Sequence, residues 1–327
     1  MKPLRFDNRV AIVTGAGRGL GRSYALFLAE RGARLVLNGR PEGIERVNEV
    51  RDLIRAQGGE AVVVSGLVEA PATATAMVDS AIEHFGRIDI VIHNAGNVHA
   101  QTRVDEAPGE ALEQYFNIHV RAALLLNRAA WPHMVKRKYG RILFTGSSNG
   151  TGWMKDQEGY MMDYATAKSA MFGVTRQTAA SGIEHNIKAN MVMPWAYTHM
   201  AEVALGGTDM GKWFEANFKS EQVAAGAAPL LHEDCPANGE AISIQGGRVA
   251  RVFFAATRGY FNANITPEDV LANWDQVQGA IGANGVLLDA FEQTQPREGH
   301  VIGATLSGGK LPDLAWIAAQ PLYDSQL

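Results

Sequence analysis

Residues 10–33, VAIVTGAGRGLGRSYALFLAERGA, pass from an apolar run through glycines 15, 17, 19 and 21 into a helix-period segment. No other feature restricts the fold as much. A short continuously apolar run suits a strand covered on both faces. Glycines let the backbone turn tightly and come close to a ligand. The helix behind them aims free N–H groups and a positive dipole end at the turn, which favours phosphate. Glycines are common in strand-to-helix turns, but this turn opens the first strand–helix–strand unit, the context a dinucleotide fingerprint requires. Gly15, Gly19, Leu20 and Gly21 are therefore candidate cofactor contacts.

The rest of the chain repeats the pattern. Residues 10–14, 34–38, 61–65, 88–93, 141–145, 188–192 and 241–245 read as strands, with helical periodicity at 21–31, 42–57, 71–85, 110–136 and 164–183. Repeated βαβ units predict an α/β fold, a doubly wound parallel sheet of seven strands with helices on both faces. With no linker-like tract, residues 1–247 read as one dinucleotide-binding catalytic domain. Residues 248–327 form an extension whose LPDLAWIAAQPLY stretch needs a surface, either its own active site or a neighbouring subunit.

Composition excludes several classes. Apolar residues at 46% and charged residues at 20% describe a packed globular chain. A net charge of −4 gives no case for nucleic acid or an anionic membrane. A single cysteine, Cys235, rules out an intrachain disulfide and a cysteine zinc cluster, and no metal site is expected. No apolar run reaches the roughly 18–20 residues of a membrane span, and MKPLRFDNRVAIVTG leads directly into a strand. The expectation is a soluble cytoplasmic protein acting on a small molecule.

An acid at the tip of the second strand bonds the ribose 2′-hydroxyl of NAD. Here the tip reads Leu37-Asn38-Gly39-Arg40, and Arg18 lies in the glycine turn. Two guanidinium groups without a carboxylate suit a 2′-phosphate. NADP(H) is favoured and NAD(H) stays open, because Arg18 and Arg40 are also readable as solvated surface residues.

Tyr164 and Lys168 stand four apart on a predicted helix and so share a face. Ser147 and Ser148 end a strand at the rim where ligands bind in this architecture. Hydride transfer at a carbinol carbon requires a proton to move on its oxygen, and a phenol with a pKa of ~10 is a poor base. Lowering it to about 7 takes ~4 kcal/mol. An ammonium ~4 Å away supplies that much at an effective dielectric of about 20.

These elements resemble the short-chain dehydrogenase/reductase family. They are Thr14-Gly15-x-x-x-Gly19-x-Gly21, Asn94-Ala95-Gly96, Ser147, Tyr164-x-x-x-Lys168, and Pro194 with Thr198. The resemblance implies a Rossmann-type sheet, Ser147 orienting the substrate oxygen, Tyr164 as general acid/base, and Lys168 easing its ionisation and bonding the nicotinamide ribose. It implies cofactor contacts at Asn38, Leu67, Val68, Asn94, Ala95, Gly96, Pro194 and Thr198, besides Tyr164 and Lys168. PLRFDNRVAIVTGAGRGLGRSYAL, HVRAALLLNRAAWPHMVKRKYGRI, LLHEDCPANG and NITPEDVLANW resemble more closely the (3R)-hydroxyacyl-CoA dehydrogenase segment of multifunctional β-oxidation enzymes.

Departures accompany the likeness. The fourth catalytic position, usually Asn, falls at His119, which reads either as a relay residue or as packing. Gly39 and Gly66 stand where acids are usual, His93 replaces an Asn, and Trp195 replaces a Gly. Sixteen residues separate Ser147 from Tyr164, and the added Trp153, Met154, Tyr160, Met161 and Met162 read either as a wall for a large apolar substrate or as packing. The expected function is NAD(P)-dependent interconversion of a secondary alcohol and a ketone on a 3-hydroxyacyl thioester, steroid or polyketide-like substrate, by a homodimer or homotetramer. Its rivals are a catalytically silent nucleotide sensor or scaffold and an enzyme of dehydration or epimerisation.

Overall fold

The computed structural model describes residues 3–97, 103–105, 109–152, 161–280 and 290–292. Trp153, Met154, Tyr160 and the LPDLAWIAAQPLY stretch lie outside the described residues. The chain divides into two compact units, Met1–Arg251 and Val252–Leu327.

In the first unit, β1 (Val10–Val13), α1 (Gly19–Glu30), β2 (Arg34–Gly39), α2 (Ile44–Ala56), β3 (Ala61–Ser65) and α3 (Pro71–Phe85) form one half of the fold. The chain then crosses to β4 (Ile90–His93) and continues through α4 (Gly109–Tyr115), a π-helical segment (Phe116–Arg121) and α5 (Ala122–Arg137). Next come β5 (Gly140–Thr145), α6 (Met162–Gly182), β6 (Ile187–Trp195), α7 (His199–Leu205), α8 (Asp209–Asn217), α9 (Ser220–Ala227), β7 (Ala241–Gln245) and β8 (Arg248–Val252). The sheet order is β3-β2-β1-β4-β5-β6-β7-β8. Strands β1 to β7 pair in parallel. Covering helices explain the unbroken burial of β1 and the fully buried Leu35, Leu37, Ile90, Ile92 and Leu143 of the core.

Eight strands stand where seven were expected. The eighth arises from Gly246 and Gly247, both at positive φ (53° and 83°), which link β7 to its neighbour β8 in two residues. So short a connection permits only an antiparallel hairpin. Glu240 closes it with two hydrogen bonds from Arg251, at 2.6 and 2.9 Å. The unit thus runs to Arg251, beyond the Gly247 boundary read from the sequence. β6 is also longer than expected, because Pro194 and Trp195 stay in register with Ile244 and Gln245.

The second unit carries β9 (Ala255–Thr257) paired antiparallel with β10 (Ala290–Glu292), and two short helices, α10 (Pro267–Ala272) and α11 (Trp274–Gln278). Helix α10 starts at a capping box: Thr266 Oγ1 accepts from the Asp269 N–H, and the Asp269 carboxylate accepts from the Thr266 N–H, both at 3.2 Å. Among the described residues, no helix is long and apolar enough to cross a membrane.

Strand order reverses between β1 and β4, and an open α/β sheet offers its ligand crevice outside the carboxyl ends of the strands at such a point. Helix α1 packs down on the glycine turn there. A Cβ on Gly21 would lie 2.2 Å from the Gly15 carbonyl oxygen and 2.6 Å from Asn94 Nδ2. The Gly21→Ala variant should therefore lose about 2–3 kcal/mol in urea unfolding. Gly43→Ala, with nothing within 4 Å of the new carbon, should stay within ~0.5 kcal/mol of the parent.

Candidate active site

The crevice is held by Thr14 and Asn94. Thr14 Oγ1 accepts from the backbone N–H of Asn94 and of Ala95, both at 3.0 Å, and donates to the Ile92 carbonyl at 3.3 Å. The Asn94 amide donates back to the carbonyls of Thr14 (3.0 Å) and Gly15 (3.3 Å). Across the turn, a Cβ on Gly19 would meet Thr198 Cγ2 at 3.3 Å, so the segment after β6 reaches the glycine turn. Gly15, Gly19, Gly21, Asn94, Ala95 and Thr198 are thus drawn together. Leu20 instead packs its side chain on the core, and Leu67 remains exposed while Val68 lines a cavity described below. Pro194 is held in the sheet opposite Ile244.

At the tip of β2, Asn38 is buried and its amide is committed to structure. Nδ2 donates to the Val64 and Gly66 carbonyls, both at 3.1 Å, and the Asn38 carbonyl accepts from Ala16 N–H at 2.9 Å. The missing acids have steric causes. A Cβ on Gly39 would sit 2.4 Å from Cγ2 of the buried Val47, and one on Gly66 would sit 2.4 Å from Thr73 Oγ1. Arg46 belongs to the same corner, since a Cβ on Gly17 would touch its Cβ at 3.1 Å. The Arg18 guanidinium is held below its ordinary pKa by burial, then by the neighbouring cations Arg46 and Arg40, with Glu202 opposing. Sequence reasoning missed Arg46, which belongs to no motif and is placed by the packing of the first turn of α2 on the glycine turn.

Ser147, Tyr164, Lys168 and His119 converge at the carboxyl edge of β5. Ser147 precedes a short 3₁₀ turn and accepts from the Asn149 N–H at 3.2 Å. Burial pushes the Tyr164 phenol up to about 12, against a hydrogen bond with Ser147 that pulls it down. Lys168 is buried and its ammonium is pushed down to about 7. It donates to the Thr145 carbonyl at 2.8 Å and lies 5.6 Å from the centre of the Tyr164 ring. The strand-end carbonyl thus holds one of the three ammonium protons of Lys168 on the side of β5. Desolvation is the largest influence on both groups.

His119 falls in the π-helical segment, where one extra residue in the turn re-aims the side chains that follow. It stands edge-on to Tyr164 at 5.7 Å and stacks with Tyr115 at 6.2 Å. Burial first, and the Lys168 cation second, push it down to about 2, so the imidazole stays neutral. Its Cε1 would be 2.6 Å from a Cβ on Gly96, which accounts for that glycine. His119 Nε2 and Thr145 Oγ1 are buried without a protein partner among the described residues. Both residues line a cavity of about 10 Å³ with Thr14, Val68, His93 and Ala95, room for one water. His93 is pushed down to about 4 by burial, stacks on Phe144 at 5.0 Å and bonds Asn127 Oδ1 through Nε2 at 2.8 Å.

A family model described as short chain dehydrogenase matches residues 9–204. The chain belongs to the short-chain dehydrogenase family. That makes it an oxidoreductase acting on CH–OH groups. It is similar to the mouse peroxisomal multifunctional enzyme type 2, 36% identical over 288 residues that cover 84% of this chain and 37% of the mouse protein. It is also similar to the solved full-length peroxisomal multifunctional enzyme type 2 of Drosophila melanogaster, with a TM-score of 0.72 and 26% identity over 94% of this chain and 50% of that one. The chain therefore spans half or less of the length of these two relatives. A short-chain dehydrogenase from Burkholderia cenocepacia in complex with NADP matches at a TM-score of 0.64 and 28% identity, over 75% of this chain and 99% of that one.

Burying Lys168 has a consequence for stability. Its pKa falls from 10.5 to about 7 on folding, so between those values the unfolded chain binds the proton more tightly and stability rises with pH. The full cost is present below pH 7 and relieved by about pH 10.5. Lys168→Met should therefore outlast the coenzyme-free parent in urea at pH 6.5, by a margin that shrinks as the pH is raised to 10.

Proposed function

We propose that this short-chain dehydrogenase interconverts a secondary alcohol and a ketone on a bulky apolar substrate, with NADP(H) preferred to NAD(H). The observation that carries this reading is the convergence of Ser147, Tyr164, Lys168 and His119 beside a glycine turn whose close contacts leave the backbone bare. A bound nicotinamide supplies the hydride donor or acceptor. Gly15, Gly19, Gly21, Asn94 and Thr198 would hold the dinucleotide, and Lys168 its ribose.

Ser147 orients the substrate oxygen, and Tyr164 gives or takes the proton on it. The lysine lowers the cost of the phenolate once positive charge is gathered at the site. Neutral His119 offers Nε2 as an acceptor to a water shared with Thr145 Oγ1, next to Lys168, through which a proton leaves the buried centre. An imidazole this hard to protonate serves as a fixed hydrogen-bonding partner and not as a general acid.

The substrate reading rests on apolar flanks. Met161, Phe116 and Ala111 pack against the Tyr115–Tyr164 cluster on one side of the phenol. Together with the family likeness, this favours a 3-hydroxyacyl thioester, a steroid or a polyketide-like ketone. The preference for NADP(H) rests on Arg18, Arg40 and Arg46 at a strand tip that has no room for an acid. Assembly as a homodimer or homotetramer is part of the reading. Helices α5 and α6 each leave an apolar side chain outward, Leu124 at 51% and Met162 at 45% exposure.

Tyr164→Phe should abolish turnover of coenzyme while leaving its dissociation constant within about threefold; retained turnover removes Tyr164 from the chemistry. Changing Arg18, Arg40 or Arg46 to Ala should weaken NADPH roughly tenfold each, the scale of a lost charged hydrogen bond, and leave NADH nearly unchanged. Tighter NADH binding in the parent, insensitive to all three changes, would reverse the preference.

A further inference from the structure

Two rings and one cation surround the Tyr164 phenol. The Tyr164 ring stands nearly perpendicular to those of Tyr115 and His119, each 5.7 Å away, with interplanar angles of 76° and 78°. Tyr115 and His119 are themselves nearly parallel, stacked at 6.2 Å and 17°. Lys168 Nζ lies 5.6 Å from the centre of the Tyr164 ring.

The alcohol–ketone reading gives tasks to Tyr164, His119 and Lys168 and none to Tyr115. Yet Tyr115 is the more deeply buried of the two phenols, 2% exposed against 8% for Tyr164. It ends α4, and His119 follows four residues later in the π-helical segment, so the stacked rings rise from one widened turn. Phe116 and Met161 pack against this cluster. Met161 Sδ accepts from Asn149 Nδ2 at 3.0 Å, and the Asn149 N–H donates to Ser147 Oγ at 3.2 Å. Two hydrogen bonds therefore join the aromatic cluster to the serine that bonds Tyr164.

A phenol ring turns about its Cβ–Cγ bond in a broad, two-fold well, so the side chain by itself does not fix the plane of its ring. That plane matters for proton transfer. Conjugation keeps a phenol O–H in the plane of the ring, so turning the ring turns the direction in which the proton is given or taken. Two perpendicular aromatic neighbours oppose the turn, because it degrades the edge-to-face contact with both.

We propose that Tyr115 is a positioning residue for proton transfer: stacked on His119, its ring fixes the plane of the Tyr164 phenol and so aims the hydroxyl at the substrate oxygen. The inference rests on the acid/base reading of Tyr164. It assigns the role to the ring of Tyr115 and not to its hydroxyl.

The test reads ring flipping by NMR in the full-length protein, with tyrosine carrying carbon-13 at its ring ε positions. Tyr164 is assigned by the signals lost in Tyr164→Phe. The parent should give separate signals for the two ε carbons of Tyr164, the mark of a slowly flipping ring. Tyr115→Leu and Tyr115→Met keep apolar bulk without a ring, and each should merge the pair; Tyr115→Phe should leave it separate. In parallel, NADPH-dependent reduction of acetoacetyl-CoA or 2-octanone, whichever the parent turns over faster, should lose about tenfold in kcat in the Leu and Met variants, the scale of a misdirected reacting group. KM should stay within about twofold, and Tyr115→Phe should keep kcat within about twofold of the parent. A single averaged Tyr164 signal in the parent overturns the proposal without any variant. So does either change without the other, or neither, in the variants that lack the ring. Failure of the acid/base reading looks different: turnover would survive Tyr164→Phe. A parent that reduces neither ketone counts against the alcohol–ketone reading, and the ring signals alone then decide the role of Tyr115.

Discussion

Everything at the site depends on one short hydrogen-bonded lock, the exchange between Thr14 and Asn94 at the point where strand order reverses. One hydroxyl there accepts two backbone donors and gives its proton to the Ile92 carbonyl. β1 and β4 thus end in a fixed relation that the parallel ladder no longer enforces past Val13 and Ile92. The amide of Asn94 also closes on Gly15, beneath which Gly21 has no room for a side chain. The glycine turn and the Asn94-Ala95-Gly96 loop are therefore one object. His119 lies over Gly96, so the same object supports the side of the crevice that holds Tyr164 and Lys168.

On that frame the protein accumulates buried polar groups that oppose folding. Lys168, Tyr164 and His119 are each pushed by desolvation toward their neutral forms. The energy comes from the surrounding core, where β1, β2, β4 and β5 are covered on both faces. A water-filled environment would weaken each interaction among these groups.

Much of the fold was legible in residues 1–247. Short apolar runs and intervening periodic segments placed seven strands within a few residues of their observed ends, since strands covered twice carry a strong local signal. The eighth strand was missed although Gly246-Gly247 between alternating stretches is a hairpin signal. The stretch at 110–136 read as one helix, whereas the chain forms α4, a π-helical turn and α5. No local pattern distinguishes that turn, which carries His119 over Gly96 and against Tyr164. That the Asn38 amide bonds across to β3 and the turn after it was not legible, because its partners, the Val64 and Gly66 carbonyls, come from a separate strand and the turn that follows it.

By itself the sequence determined which chemistry is present: a glycine turn bare enough for a phosphate, a serine at a strand end, and a tyrosine one helical turn from a lysine. Those follow from local rules, because backbone freedom and helical spacing act over a few residues. Tertiary structure decided who meets whom. It sent the Lys168 ammonium to the Thr145 carbonyl, brought Arg46 to Arg18, closed the strand tip to an acid with Val47, and tied Trp195 to Ser148. Each of those meetings joins residues from different elements, and their geometry is set by how helices pack on a twisted sheet, which no run of neighbouring residues encodes.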